Sequence, residues 1–174
     1  RIDAMLNGKP FLLQPMEGSS VFINQPDYFE IPEDVIVIGM ENAENFMQIR
    51  SQRWLFDALF PGGKFLFVCR YPQENLENLR SWLLRIPNRY VHFGDFDLAG
   101  VHIYLSEFYA HLGNRSSFLV PSDIEKRLAE GNAVLYNQQY ARFRNMAVTD
   151  FRLQPLVDMI HHYRRGYEQE GYIK

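Results

Sequence analysis

The stretch Tyr90-Val91-His92-Phe93-Gly94-Asp95-Phe96-Asp97-Leu98-Ala99-Gly100 decides the reading of this chain. Four residues of strand character run into two carboxylates at i and i+2, glycines bracket the pair, and a helical pattern begins at once. If the backbone is still extended through Asp95 and Asp97, both side chains point to one side of the strand, roughly 7 Å apart between Cα atoms. Two carboxylates so disposed suit a divalent cation, although aspartate at a strand end is also a favoured helix cap.

Working outward, Val35-Ile36-Val37-Ile38-Gly39-Met40 and Lys64-Phe65-Leu66-Phe67-Val68-Cys69-Arg70 are continuous apolar runs. Such runs mark strands covered on both faces, as in parallel sheets. Between them, positions 43–60 carry a helical pattern with Phe46, Met47, Trp54, Leu55, Ala58 and Leu59 roughly on one face, stopped by Pro61-Gly62-Gly63. A second helix is predicted over 73–86, with Leu76, Leu79, Leu83 and Ile86 as its stripe and Pro87 closing it. Leu98, Val101, Leu105, Phe108 and Leu112 follow a 3,4,3,4 spacing and predict a third helix ending at Gly113. A fourth strand over 117–121 precedes Ser122-Asp123-Ile124-Glu125, a capping-box sequence in which Ser122 and Glu125 satisfy each other's orphan backbone donors.

Strands alternating with helices predict an α/β fold, a parallel sheet of about four strands flanked by helices and joined by right-handed crossovers. Residues 1–30 read as a β-rich extension, with strands at Pro10-Phe11-Leu12-Leu13-Gln14 and Val21-Phe22-Ile23-Asn24 around the turn Glu17-Gly18-Ser19-Ser20. The α/β domain spans 31–131. Residues 132–174 form a helical extension in which Leu153, Leu156, Ile160, Tyr163 and Tyr167 fall in phase.

Composition bounds the function. The 174 residues are 47% hydrophobic and 22% charged, as in an ordinary globular protein with a sizeable core. A net charge of -3 excludes a strongly cationic nucleic-acid binder, so any DNA contact must come from a local basic face, bridging metal ions or a partner. Cys69 stands alone, which excludes an intramolecular disulfide and a multi-cysteine zinc site, and a reducing cytoplasm is expected. No apolar run reaches the ~20 residues of a membrane span. The chain begins at Arg1, and a longer protein is expected.

The topology then directs the chemistry. In open parallel sheets ligands bind beyond the carboxyl ends of the strands. Glu41 follows the first apolar strand and Asp95 and Asp97 the third, so three carboxylates are expected on one edge, with Glu44 one helical turn on as a substitute. An oxygen-only donor set suits Mg²⁺ or Mn²⁺ and, with it, phosphodiester chemistry. Arg70, at the end of the second strand, is the best placed arginine for a phosphate, ahead of Arg50, Arg53, Arg164 and Arg165. Glu168 and Glu170 read as an exposed acidic helix end, Cys69 as a small core side chain and His92 as packed within the sheet. His161-His162 lacks the spacing that sets two zinc ligands on one helix face, and Pro61-Gly62-Gly63-Lys64 precedes a strand where a phosphate loop would open a helix.

An apolar strand ending in Glu41, followed later by strand-Gly94-Asp95-Phe96-Asp97-Leu98-Ala99-Gly100, resembles the Toprim domain shared by topoisomerases, primases and several nucleases. Glu41-Asn42-Ala43-Glu44-Asn45-Phe46, Gly94-Asp95-Phe96-Asp97 and Glu168-Gln169-Glu170 are more similar to the nuclease subunit of Wadjet-type plasmid-defence systems, and more distantly to the topoisomerase VI A subunit. The resemblance implies an Mg²⁺-dependent DNA endonuclease domain working beside condensin-like subunits. It also implies Glu41 as general acid or base and metal contact, and Asp95 and Asp97 as metal ligands; a cut through both strands would need two active sites, hence a homodimer. Many Toprim domains have glycine after the glutamate; here Asn42 stands there as the expected cap of the next helix. Two alternatives remain at this point. One is the metal scaffold of a topoisomerase VI-like strand-breaking enzyme, which needs an upstream winged helix bearing a tyrosine. The other is a non-catalytic adaptor.

Overall fold

A computed structural model describes residues 1–16 and 18–174. The central sheet has four parallel strands in the order β5-β4-β6-β7: β4 (Val35–Met40), β5 (Lys64–Cys69), β6 (Tyr90–Phe93) and β7 (Ser116–Phe118). The expected α/β architecture is present. From β4 the chain crosses to one side to make β5, then to the other side to make β6, so β4 and β6 flank the switch point where crossover loops diverge. Residues Val37 to Met40 pair with Tyr90 to Phe93, and Glu41 N donates to Phe93 O at 3.1 Å, extending the pairing to the edge where the acidic residues begin.

The helices follow the expected pattern with local departures. The predicted helix over 43–60 is two, α1 (Ala43–Met47) and α2 (Ile49–Leu59). The break at Gln48 is filled by side-chain amides: Gln52 Nε2 donates to Asn45 O and Gln48 O at 2.8 and 2.9 Å, and Asn45 Nδ2 donates to Gln52 Oε1 at 2.6 Å. Asn42 caps α1 by accepting from Glu44 N at 2.7 Å, as expected. Leu76–Arg85 forms α3 behind a 3₁₀ turn, and Trp82 on it donates from Nε1 to Phe29 O at 2.8 Å.

Leu98–Ile103 forms α4, which continues through a π-helical segment, Tyr104–Tyr109, into α5 (Ala110–Leu112), and Gly113 ends the run at φ +60°. The wider π turn adds a residue to the 3,4 spacing and aims Tyr104 and Phe108 at His92, with ring centroids 6.0 and 4.9 Å away. The predicted fourth strand starts one residue earlier and is shorter. Leu119 N still donates to His92 O at 2.8 Å, but Pro121 has no N–H to continue the ladder.

Two readings need correction. The capping box does not form: Asp123 stands at the N-cap of α6 (Ile124–Ala129) and its carboxylate accepts from Arg127 Nε at 2.7 Å and Tyr172 Oη at 2.9 Å, while Glu125 accepts from Tyr163 Oη at 3.1 Å. An arginine one turn on outbids a backbone amide for the carboxylate. At the N-terminus, β1 (Ile2–Leu6), β2 (Lys9–Leu13) and β3 (Phe29–Glu30) make an antiparallel sheet in the order β2-β1-β3. Its hairpin turns at Asn7-Gly8, both at positive φ, as a two-residue turn matched to strand twist requires. Residues 21–24 are not a strand, and Glu17 of the expected turn lies outside the described residues.

Beyond α6, α7 (Ala133–Phe143) and α8 (Gln154–Tyr163) supply the helical tail, and one cluster of buried side chains runs from Ile2 to Tyr172. The last residues are not helical in phase with α8. Arg164 turns the chain at φ 54°, and Tyr167 forms a bridge to Phe96.

Candidate active site

Asp95 and Asp97 hang from the loop that leaves β6. Asp97 is the N-cap of α4: Oδ1 accepts from Gly100 N at 2.6 Å and Oδ2 from Gln139 Nε2 at 2.9 Å, so both oxygens are oriented. Gly100 is required there, because a Cβ would run into Asp95 O. Asp95 Oδ1 accepts from Gln169 N at 2.9 Å. The loop is clamped by the returning tail, with Phe96 N donating to Tyr167 O at 2.9 Å and Tyr167 N to Phe96 O at 3.0 Å.

Glu41, across the switch point, is fixed from below. Its Oε2 lies 3.0 Å from His92 Nε2, and His92 Nδ1 lies 2.9 Å from Tyr90 Oη. Burial holds the Tyr90 phenol well above its usual pKa, so its O–H donates to Nδ1, which sets the tautomer with the proton on Nε2 donating to Glu41. Two glycines make room for this relay. A Cβ on Gly39 would strike Tyr90 Oη, and one on Gly94 would strike Glu41 Oε2 and lie 2.9 Å from His92 Nε2. His92 is indeed packed within the sheet, fully buried, but it is also the anchor of Glu41. The signal was there: Tyr90, His92 and Gly94 alternate on one strand, as residues sharing a face must.

The tail brings two more carboxylates. Asn42 Nδ2 donates to Glu170 Oε1, and Asn45 Nδ2 donates to Gln169 O at 3.1 Å, which fixes residues 169–170 against α1. Glu170 Oε2 is buried without a hydrogen-bond partner among the described residues. Glu168 and Glu170, read from sequence as an exposed helix end, therefore stand beside the acidic loop, Glu168 itself remaining exposed. Glu44 accepts from Gln48 Nε2 at 3.3 Å within its own helix.

The electrostatics follow from burial and like charge. Asp95 is pushed up to about 7, first by burial and then by Glu41, Asp97 and Glu170, against the pull of Gln169 N. Asp97 is raised by burial, with Glu41 and Glu168 adding to the rise and Gln139 and Gly100 N opposing it. Among the described residues, no arginine or lysine hydrogen-bonds to Glu41, Asp95, Asp97, Glu168 or Glu170. Arg70 is near, but its guanidinium makes a two-pronged pair with Glu107 of the π segment, Nε to Oε2 at 2.7 Å and Nη2 to Oε1 at 2.8 Å, and its side chain is 9% exposed.

An uncompensated set of carboxylate oxygens is what a hard divalent cation would neutralise, so the donor chemistry fits Mg²⁺ or Mn²⁺. Among the described residues no group of three or more His, Cys, Asp or Glu side chains is spaced to hold an ion. The carboxylates share an electrostatic field here, not a coordination shell. Cys69 lies in β5, half-buried, with its thiol raised by burial, and His161 Nδ1 meets Tyr136 Oη at 2.9 Å.

Fold and site together define a parallel α/β domain with a cluster of acidic residues at its topological switch point. The chain belongs to the family described as Domain of unknown function (DUF7281), whose model matches residues 5–174. No curated protein matches the chain. No solved structure matches it. Among the described residues, no helix is long and apolar enough to cross a membrane.

Proposed function

We propose that this domain is a Toprim-like, Mg²⁺- or Mn²⁺-dependent DNA endonuclease acting within a larger DNA-processing assembly, of the kind in which such a subunit serves condensin-like partners in plasmid defence. The observation that supports it best is that Glu41, Asp95 and Asp97 stand within one another's electrostatic reach at the β4/β6 switch point, with no arginine or lysine hydrogen-bonded to them among the described residues. Asp95 and Asp97 would hold the ion, and Glu41, not spaced with them as a third ligand, would serve as general acid or base. When bound, the ion would supply charge neutralisation at the phosphate and a more acidic water.

The chain's own groups do the rest. His92 leaves Glu41 one oxygen unbonded among the described residues, Oε1, free to accept a proton from an attacking water. Gln139 and Gly100 N hold Asp97 in one orientation, so little reorganisation accompanies the reaction. Packing of the tail over Phe96 keeps the Asp95 to Asp97 loop from fraying.

The test is divalent-dependent nicking of supercoiled plasmid by the full-length protein. Asp97→Asn keeps a capping side chain while removing the charge, and its activity should fall by about 10³-fold, the scale of losing a group central to transition-state stabilisation. Unchanged nicking by a folded Asp97→Asn protein would sink the proposal. A covalent protein–DNA adduct would instead favour the topoisomerase VI-like reading.

A further inference from the structure

Residues 133–165 are an excursion that leaves and re-enters the fold beside the loop of Asp95 and Asp97. Its ends are tied by Asn132 N donating to Gly166 O at 2.7 Å and Gly166 N to Asn132 O at 3.0 Å, and Tyr167, the next residue, is paired to Phe96 between the two aspartates. The excursion carries α7 and α8 and most of the positive charge imbalance of the molecule. It holds five arginines (142, 144, 152, 164 and 165) against Asp150 and Asp158, a formal +3. The remaining residues hold 13 of the 18 lysines and arginines and 19 of the 21 acids, a formal -6.

Charge alone would be a solvated face, but the arginines differ in how they are used. Arg53, Arg70, Arg80, Arg85, Arg127 and Arg152 each bind a carboxylate. Arg142, Arg144 and Arg164 are exposed and form no ion pair among the described residues. Arg164 lies over the Tyr136 ring at 5.9 Å and Arg142 over Phe143 at 4.9 Å, so aromatic faces support two of the three without neutralising them. Two of them are placed relative to the acidic loop: Arg142 by Gln139, which hydrogen-bonds Asp97 from α7, and Arg164 by standing two residues before Gly166, whose backbone lies against Asp97 Cβ. Arg142 is three residues on, hence a neighbour of Gln139 on the helix surface, about 5–6 Å away between Cβ atoms.

A cleft lined with carboxylates repels a phosphodiester chain unless cations stand beside it. We propose that the α7–α8 excursion is the DNA-gripping arm of the cleft, with Arg142, Arg144 and Arg164 contacting backbone phosphates independently of base sequence. The inference rests on the nuclease reading for its choice of polyanion.

The experiment is equilibrium binding of the full-length protein to a labelled 20-base-pair duplex in EDTA, across a salt series. Each phosphate contact contributes about 0.9 to the slope of log affinity against log salt. The triple variant Arg142→Ala/Arg144→Ala/Arg164→Ala should therefore lose two to three from that slope and bind roughly 10- to 100-fold more weakly at low salt. The corresponding triple lysine variant should restore both, which excludes a folding defect as the cause. An unchanged slope in a triple alanine variant of unaltered melting temperature overturns the arm, as does wild-type binding to acidic phospholipid vesicles with none to the duplex. Wild-type protein that binds with the expected slope but never nicks DNA with Mg²⁺ or Mn²⁺ supports the arm and overturns the nuclease reading.

Discussion

Asp150 and Asp95 are both acids shielded from solvent near opposite ends of the sheet, and the fold treats them in opposite ways. Asp150, 2% exposed, receives Arg152 Nε and Nη2 at 2.8 and 2.7 Å and the Tyr104 hydroxyl at 2.8 Å. Its carboxyl is held below the usual range, the hydrogen bonds of Arg152 and Tyr104 outweighing desolvation. Asp95 receives one backbone N–H and is surrounded by other acids, and it is pushed up to about 7. The same chain therefore neutralises one shielded carboxylate with a fitted guanidinium and sets another, without a cation, where burial and its acidic neighbours raise its hold on a proton. Strain of the second kind marks a functional site more often than a structural one.

Measurements can break that contrast. The largest effect expected is on pH-dependent stability without divalent ions. A carboxyl whose folded pKa lies above its unfolded value favours folding at low pH, and this advantage is lost as pH rises from about 4 to about 7. Three pH units at about 1.4 kcal/mol each give a loss on the order of 4 kcal/mol. Asp95→Asn should flatten that slope in denaturant titrations and leave the protein more stable than wild type at pH 8. Mg²⁺ should stabilise wild type more at pH 8 than at pH 5, because an ion competes with the proton. An equal gain at both pH values would erase the distinction between the two aspartates.

Arg152→Ala probes the other side. Breaking a fully buried pair costs about 3–5 kcal/mol, and the half-exposed Arg152 brings this down to about 2 kcal/mol. Since the Asp150 pKa is lowered, its contribution is present above about pH 4 and lost as pH falls below it, the reverse of Asp95. Nicking per folded molecule should be unchanged. The smallest effect is expected from Gly94→Ala, whose methyl meets Glu41 and His92: about 1–2 kcal/mol of overpacking in melting experiments. Nicking should fall by roughly tenfold as Glu41 is pushed off its anchor.

The fold was legible because periodicity carries it. Three of the four sheet strands are apolar runs whose residues have no other reason to be contiguous, and Gly113 ends its helix where expected. What escaped was set by contacts across the sequence. The pairing of Phe96 with Tyr167 spans 71 positions, beyond any local pattern, and the return of Glu168 and Glu170 to the cleft depends on it. Gln52 bridging the α1/α2 break reads in a sequence as one more polar residue on a helix. The Asn7-Gly8 hairpin, by contrast, was legible and overlooked, since that dipeptide between apolar alternations is a strong turn signal. Among the candidate site residues, the places of Glu41, Asp95 and Asp97 just beyond strand ends were legible, whereas Arg70 pairs with Glu107, 37 residues away on a π segment that spacing rules do not foresee.

The tie at Asn132/Gly166, beside that at Phe96/Tyr167, also closes residues 133–165 into a segment whose two ends meet. Its entry and exit lie within hydrogen-bonding distance, so a chain of another length can join the same two points, and the contact with the acidic loop that such a chain must keep is that of Gln139 with Asp97 Oδ2. Length and charge on the exposed faces of α7 and α8 can thus vary while Gln139 and the buried side chains stay in place. On the proposed nuclease reading, a change of charge on the outer faces of α7 and α8 alters how a nucleic acid is held and leaves the acidic loop as it is.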